Sequence, residues 1–167
     1  THMPANRFPF TYFALGEAHA TSSGQHDVDQ EFAHDFGAVR LENGTWTAAR
    51  PEMSTETNDG YLIWGMPVYA IADGEVVAAW RNAPDNEAPG KKRPEVFAER
   101  DGTEDFIGAG GNHINTIDPV TGLETGYAHF MEGTIPAHLV QNHSRFLRRG
   151  SDNDIVGTRP KVRKGDF

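Results

Sequence analysis

Apolar residues in this chain recur in short runs or at alternate positions, and three-to-four spacing is scarce. That pattern predicts strands joined by turns rather than long helices. Phe8, Phe10, Tyr12 and Phe13 form an aromatic cluster whose alternation suggests an extended segment packed on something else. Phe32 to Leu41 reads as a strand, and Tyr61 to Trp64 is a short apolar run. Asn43-Gly44 and Asn58-Asp59-Gly60 are turn signals within the polar stretch 42–60. Pro67 to Ala72 and Glu75 to Trp80 are two apolar runs separated by Asp73-Gly74. A two-residue Asp-Gly between such runs predicts a hairpin. Asn112 to Asp118 alternates as a strand, Pro119 to Gly122 is a turn, and Leu123 to Phe130 is the returning strand. Gly133 to Val140 reads as a turn plus a short helix. Residues 82–105 and 141–160 read as exposed loops. The total of roughly six to eight short strands predicts an all-β fold, an antiparallel sheet or sandwich with long loops.

Composition agrees with this reading. With 167 residues the chain can bury a core of its own, and Gly (18) and Pro (10) supply turn formers. The net charge of −9 opposes binding to nucleic acid phosphates, and the basic runs at Lys91-Lys92-Arg93 and 161–164 are too short to reverse it. The absence of cysteine excludes disulfides, thiolate metal sites and thiol catalysis. No apolar run approaches the ~20 residues of a membrane helix, so membrane insertion is not expected. Thr1-His2-Met3 reads as a cloning scar, so His2 enters no site argument.

Three stretches carry a family resemblance. Gly65 to Val77 (GMPVYAIADGEVV) is similar to the G-x-P-V-x-A-x-x-D-G-x-V segment of the lysostaphin/LytM-type zinc metallopeptidases. Gly110 to Asp118 followed by Gly122 to His129 (GLETGYAH) resembles that family's paired strands ending in Tyr-x-His. Val162 to Asp166 resembles the V-x-x-G-D step before its closing segment. The first stretch also occurs in biotin- and lipoyl-carrier hairpins; the conjunction with Tyr127-Ala128-His129 separates the two. The resemblance spans about residues 26–167 and implies an antiparallel sheet of duplicated, hybrid-motif type. Residues 4–25 then read as an N-terminal extension, possessing the aromatic cluster of a segment able to occlude a groove.

The resemblance also implies a chemistry: Zn2+-dependent endopeptidase cleavage of peptide crosslinks in bacterial peptidoglycan, in a secreted, periplasmic or cell-wall protein. A hydrolytic zinc site uses about three protein ligands and leaves a position for water, whose pKa the metal lowers. Asp35, in an apolar strand, matches the family's ligand Asp. The common His-x-x-x-Asp spacing requires His at position 31, where Glu31 stands; His26 fits a wider gap, with His19 and Glu31 as alternatives. His34 neighbours Asp35 and should point to the opposite face. His129 matches the His that acts on the water and the developing oxyanion. On an alternating strand it shares a face with Tyr127, and Tyr127, His113 and Asn112 are expected to line the substrate groove. No His-x-His occurs in the chain, so the third ligand is expected beyond Phe167. The rival reading is a non-catalytic relative that binds protein or glycan on the same scaffold.

Overall fold

The computed structural model describes the backbone of residues 17–24 and residues 33–91, 110–147 and 151–166 in full. The fold is all-β with antiparallel sheets. Its strands are β1 (Glu17–Gly24), β2 (Ala33–Glu42), β3 (Thr45–Thr47), β4 (Gly74–Trp80), β5 (Asn112–Ile117), β6 (Glu124–Phe130) and β7 (Lys161–Val162). Helical structure among the elements is limited to single 3-10 turns at Asn58–Gly60 and Ala137–Leu139. No helix among the described residues is long and apolar enough to cross a membrane. The strands divide into two compact units, with the boundary at Pro67/Val68.

The first unit contains a three-stranded sheet in the order β1-β2-β3. β1 and β2 pair from Glu17↔Arg40 to Gly24↔Ala33, so part of the stretch read as an extension is a full partner of β2. The expected division at residues 25/26 lies outside the described residues. The Asn43-Gly44 signal is realised. Both residues take positive φ, 49° and 80°, and close a two-residue hairpin with Glu42 opposite Thr45. Beyond β3 the chain is held by arginines acting as carbonyl donors. Arg40 Nε donates to the Ala49 carbonyl (2.6 Å) and Arg50 Nε to that of Tyr61 (3.0 Å). Gly60, buried in the 3-10 turn, donates from its N–H to the Thr57 carbonyl and accepts from Arg50 N–H.

The second unit is built on a four-stranded sheet in the order β6-β5-β4-β7. Its core is Val76, Ala79, Ile114, Ile135, Leu139, Val140, Ile155 and Val162, with Ala70, Tyr127 and Phe130 packed against it. Val76 is completely buried, and such burial stabilises by about 1.5–3 kcal/mol. A smaller cluster joins Trp80, Ala83 and Leu147.

The expected hairpin at Asp73-Gly74 does not form. β4 is paired on one side with β5 and on the other with β7, and the Asn153–Ile155 stretch extends that second edge: Ala79 N–H donates to the Asn153 carbonyl and Ile155 N–H to the Val77 carbonyl. Both edges being filled, residues 67–72 have no strand position beside β4. They instead meet the chain end, through Ala70 N–H to the Asp166 carbonyl and Gly165 N–H to the Ala70 carbonyl. Gly74 is needed for a different reason: a Cβ there would lie 3.1 Å from Thr116 Cβ and 3.2 Å from the Ile117 carbonyl oxygen. The expectation of a wholly exposed loop at 141–160 is also corrected, because Asn153 and Ile155 are buried against β4. The β5–β6 connection follows the sequence reading. Asp118 accepts from Val120 N–H, and more weakly from Thr121 N–H, which holds its carboxyl below the ordinary range.

Candidate functional site

The residues singled out above divide between the two units. Asp35 lies on β2, exposed, opposite Ser22 of β1. The His34 ring stands 6.4 Å from that of Phe36, so the two share a side, as alternation requires. His19 sits on β1 opposite Ala38. His26 and Glu31 lie outside the described residues.

Asn112, His113, Tyr127 and His129 belong to the second unit, on β5 and β6. Three of them, Asn112, His113 and Tyr127, are engaged in hydrogen bonds that serve the fold. Asn112 is 3% exposed. Its Oδ1 accepts from Ala83 N–H (2.7 Å), and its Nδ2 donates to the carbonyls of Ala83 (2.8 Å) and Phe130 (3.1 Å). One side chain thus ties the residues after β4 to the end of β6, supplying backbone partners where strand pairing stops. Tyr127 is half-buried on the core, and its hydroxyl oxygen accepts from Ile71 N–H (3.0 Å). Burial pushes its phenol pKa up, with the bond from Ile71 working in the other direction.

His113 is 7% exposed, and both ring nitrogens are engaged. Nδ1 lies 2.8 Å from the Gly111 carbonyl oxygen, which can only accept, so Nδ1 carries a proton. Nε2 lies 2.7 Å from Asn153 Nδ2, which can only donate, so Nε2 is bare. The ring is neutral in this arrangement. Burial lowers its pKa, and the bond to Gly111 acts in the opposite sense. The folded protein therefore resists the proton that the unfolded chain takes near pH ~6.5. Stability should be intact above that pH and fall as pH drops from there toward the lower folded value. His113→Gln is expected to remove this portion of the acid-side slope, measured by urea unfolding across that window.

His129 is different. It is exposed, near the end of β6, and has φ 64°, a left-handed conformation uncommon for a residue with a Cβ. The cause is a bulge. Ile114 pairs with Tyr127 and Asn112 with Phe130, so His113 alone faces both Ala128 and His129. The bulge breaks the alternation that placed Tyr127 and His129 on one face. Tyr127 turns toward the core, whereas Ala128 and His129 are both exposed. No glycine marks the position, so the sequence pattern does not reveal it.

Among the described residues, no three His, Cys, Asp or Glu side chains come close enough together to hold a metal ion. These residues do not by themselves furnish the zinc site that the resemblance implies. What the arrangement offers is a solvent-facing imidazole, held at a fixed point by a bulge and able to accept or return a proton. Set beside known proteins, the chain matches no protein-family model, no curated protein and no solved structure.

Proposed function

We propose that this chain provides the β scaffold of a secreted or periplasmic endopeptidase acting on peptide crosslinks of peptidoglycan, with His129 as the group that meets the scissile amide. The observation that carries the reading is the backbone of His129. A non-glycine residue in the left-handed region costs about 1–2 kcal/mol, which glycine would avoid. A strained and exposed imidazole is the kind of outlier from which function is argued. The substrate class comes from the resemblance of Gly65–Val77 and Gly110–His129 to the lysostaphin/LytM-type enzymes. Zn2+, with His26 and Asp35 among its ligands, belongs to the same proposal.

The test is incubation of the full-length protein with purified peptidoglycan and added zinc, with new amino groups counted and released fragments weighed. His129→Ala is expected to slow release by at least ~100-fold. His129→Gly is expected to be equally slow yet about 1 kcal/mol more stable in urea, since it relieves the left-handed strain. Bound zinc near one per chain, lost in Asp35→Ala and His26→Ala, would support the ligand assignment. Equal release by wild type and His129→Ala would sink the catalytic role.

A second reading, non-catalytic binding of peptide or glycan, is favoured by the consumption of Asn112, His113 and Tyr127 inside the fold. Co-sedimentation with peptidoglycan without any release of amino groups would select it, and absence of both would remove both readings.

A further inference from the structure

We infer that His113 and Asn153 form a proton-operated latch, in which the charge on the imidazole sets which end of the Asn153 amide faces it. The inference is independent of hydrolysis. It rests on two fixed points and one orphan. The first fixed point is Nδ1 of His113, committed to donate to the Gly111 carbonyl whether the ring is neutral or charged. Every change in protonation therefore falls on Nε2. The second is the Asn153 backbone, whose carbonyl accepts from Ala79 N–H at 2.9 Å and so holds the residue against β4. The orphan is Asn153 Oδ1, buried and without a hydrogen-bond partner among the described residues.

In the neutral state Asn153 Nδ2 donates to Nε2 and Oδ1 goes unpaired, which is unfavourable for a buried acceptor. When Nε2 takes a proton, two donors confront each other. Rotation of the amide by half a turn replaces Nδ2 with Oδ1, which accepts a charge-assisted bond from Nε2–H, while Nδ2 takes the buried position that Oδ1 leaves. No other part of the pair needs to move. Three uncharged groups meet the residue: Trp80 is its register partner on β4, the Gly111 carbonyl meets Nδ1, and the Asn153 amide approaches from the returning segment. Charged side chains stand one residue away, with Asp152 and Asp154 flanking Asn153 and Arg81 following Trp80. His129 lies across the β5–β6 bulge. Burial places the transition on the acid side of the ordinary histidine range.

The latch bears on how residues 151–155 are held. Asn142 Nδ2 donates to the Asp152 carbonyl, and Gln141 exchanges two hydrogen bonds with Val156, so the amide's orientation sits in the middle of a stretch tied to both β4 and the 141–142 loop.

The experiment is a pH titration of the 15N-labelled full chain, following the His113 ring nitrogens and the Asn153 side-chain amide. Above the transition, Nδ1 should report as protonated, Nε2 as bare, and a coupling across the hydrogen bond should join Asn153 Nδ2 to Nε2. Below it, that coupling should vanish and the Asn153 amide signals should shift in the same step as the ring. Asn153 signals indifferent to the His113 titration would overturn the latch. A second arm uses Asn153→Asp, whose carboxylate can only accept. It should raise the His113 midpoint by at least about one pH unit, a tenfold gain in proton affinity. Asn153→Leu, which removes the acceptor, should lower the midpoint below that of wild type. A midpoint unchanged in both variants would overturn the proposal. The wild-type titration decides alone if either variant fails to fold.

Discussion

Asn112→Asp is expected to destabilise the second unit by about 4 kcal/mol or more at neutral pH, although it alters a single group and leaves the shape unchanged. Aspartate keeps the bond from Ala83 N–H and loses both donors, to the carbonyls of Ala83 and Phe130. Each buried carbonyl left unpaired costs about 1–3 kcal/mol. The new carboxylate faces those two acceptors at a position only 3% exposed, where an uncompensated charge is more costly still. The loss should shrink on acidification, because a protonated carboxyl regains one donor. Asn112→Leu introduces no charge but strands Ala83 N–H as well, and about 3 kcal/mol is expected with no pH dependence of its own. Urea unfolding at neutral and acid pH measures both. A loss under about 1 kcal/mol for Asn112→Asp would mean that the three bonds do not share one rigid geometry.

In the first unit the largest expected effect belongs to Gly60→Ala, at about 3 kcal/mol. A Cβ at Gly60 would overlap the carbonyl oxygen of Ser54, a backbone atom that no rotamer change can move aside. The turn cannot easily shift in the other direction either. Gly60 N–H is bonded to the Thr57 carbonyl at 3.2 Å, and its own carbonyl accepts from Arg50 N–H at 2.8 Å. Hydrogen exchange should localise the damage. The amides of Arg50, Leu62 and Tyr61, whose acceptors lie in this folded-back stretch, should lose protection while those of β5 keep theirs. Wild-type protection at these amides would show that the 48–64 stretch accommodates the methyl group.

Much of the fold was legible in the sequence where the determinants are local. Asn43-Gly44 fixes its hairpin through the two positive φ angles it permits, and the strand–turn–strand from Asn112 to Phe130 follows from alternation around a four-residue turn. Asp73-Gly74 misleads because its signal is local and its fate is not. The edges of β4 are taken by partners about forty and ninety residues away in the sequence, at Ile117 and Val162. The site was less legible for a related reason. Alternation predicts which residues share a face, but not that Asn112 and His113 would both be buried on an interior strand. Nor does it predict an extra residue at Ala128–His129. Asn153 stands in the polar run Ser151 to Asp154, where nothing in the composition separates the one buried amide from its more exposed neighbours.

The bulge at Ala128–His129 has one more consequence. Among the described residues β6 ends the order of its sheet, and the backbone groups of an end strand are a template on which other chains can build fibrils. A left-handed residue near the finish of that strand throws later amides out of register with any straight newcomer. Intermolecular pairing could then run along Glu124 to Tyr127 but not continue to Phe130. The kink that displays an imidazole would also act as a stop against aggregation.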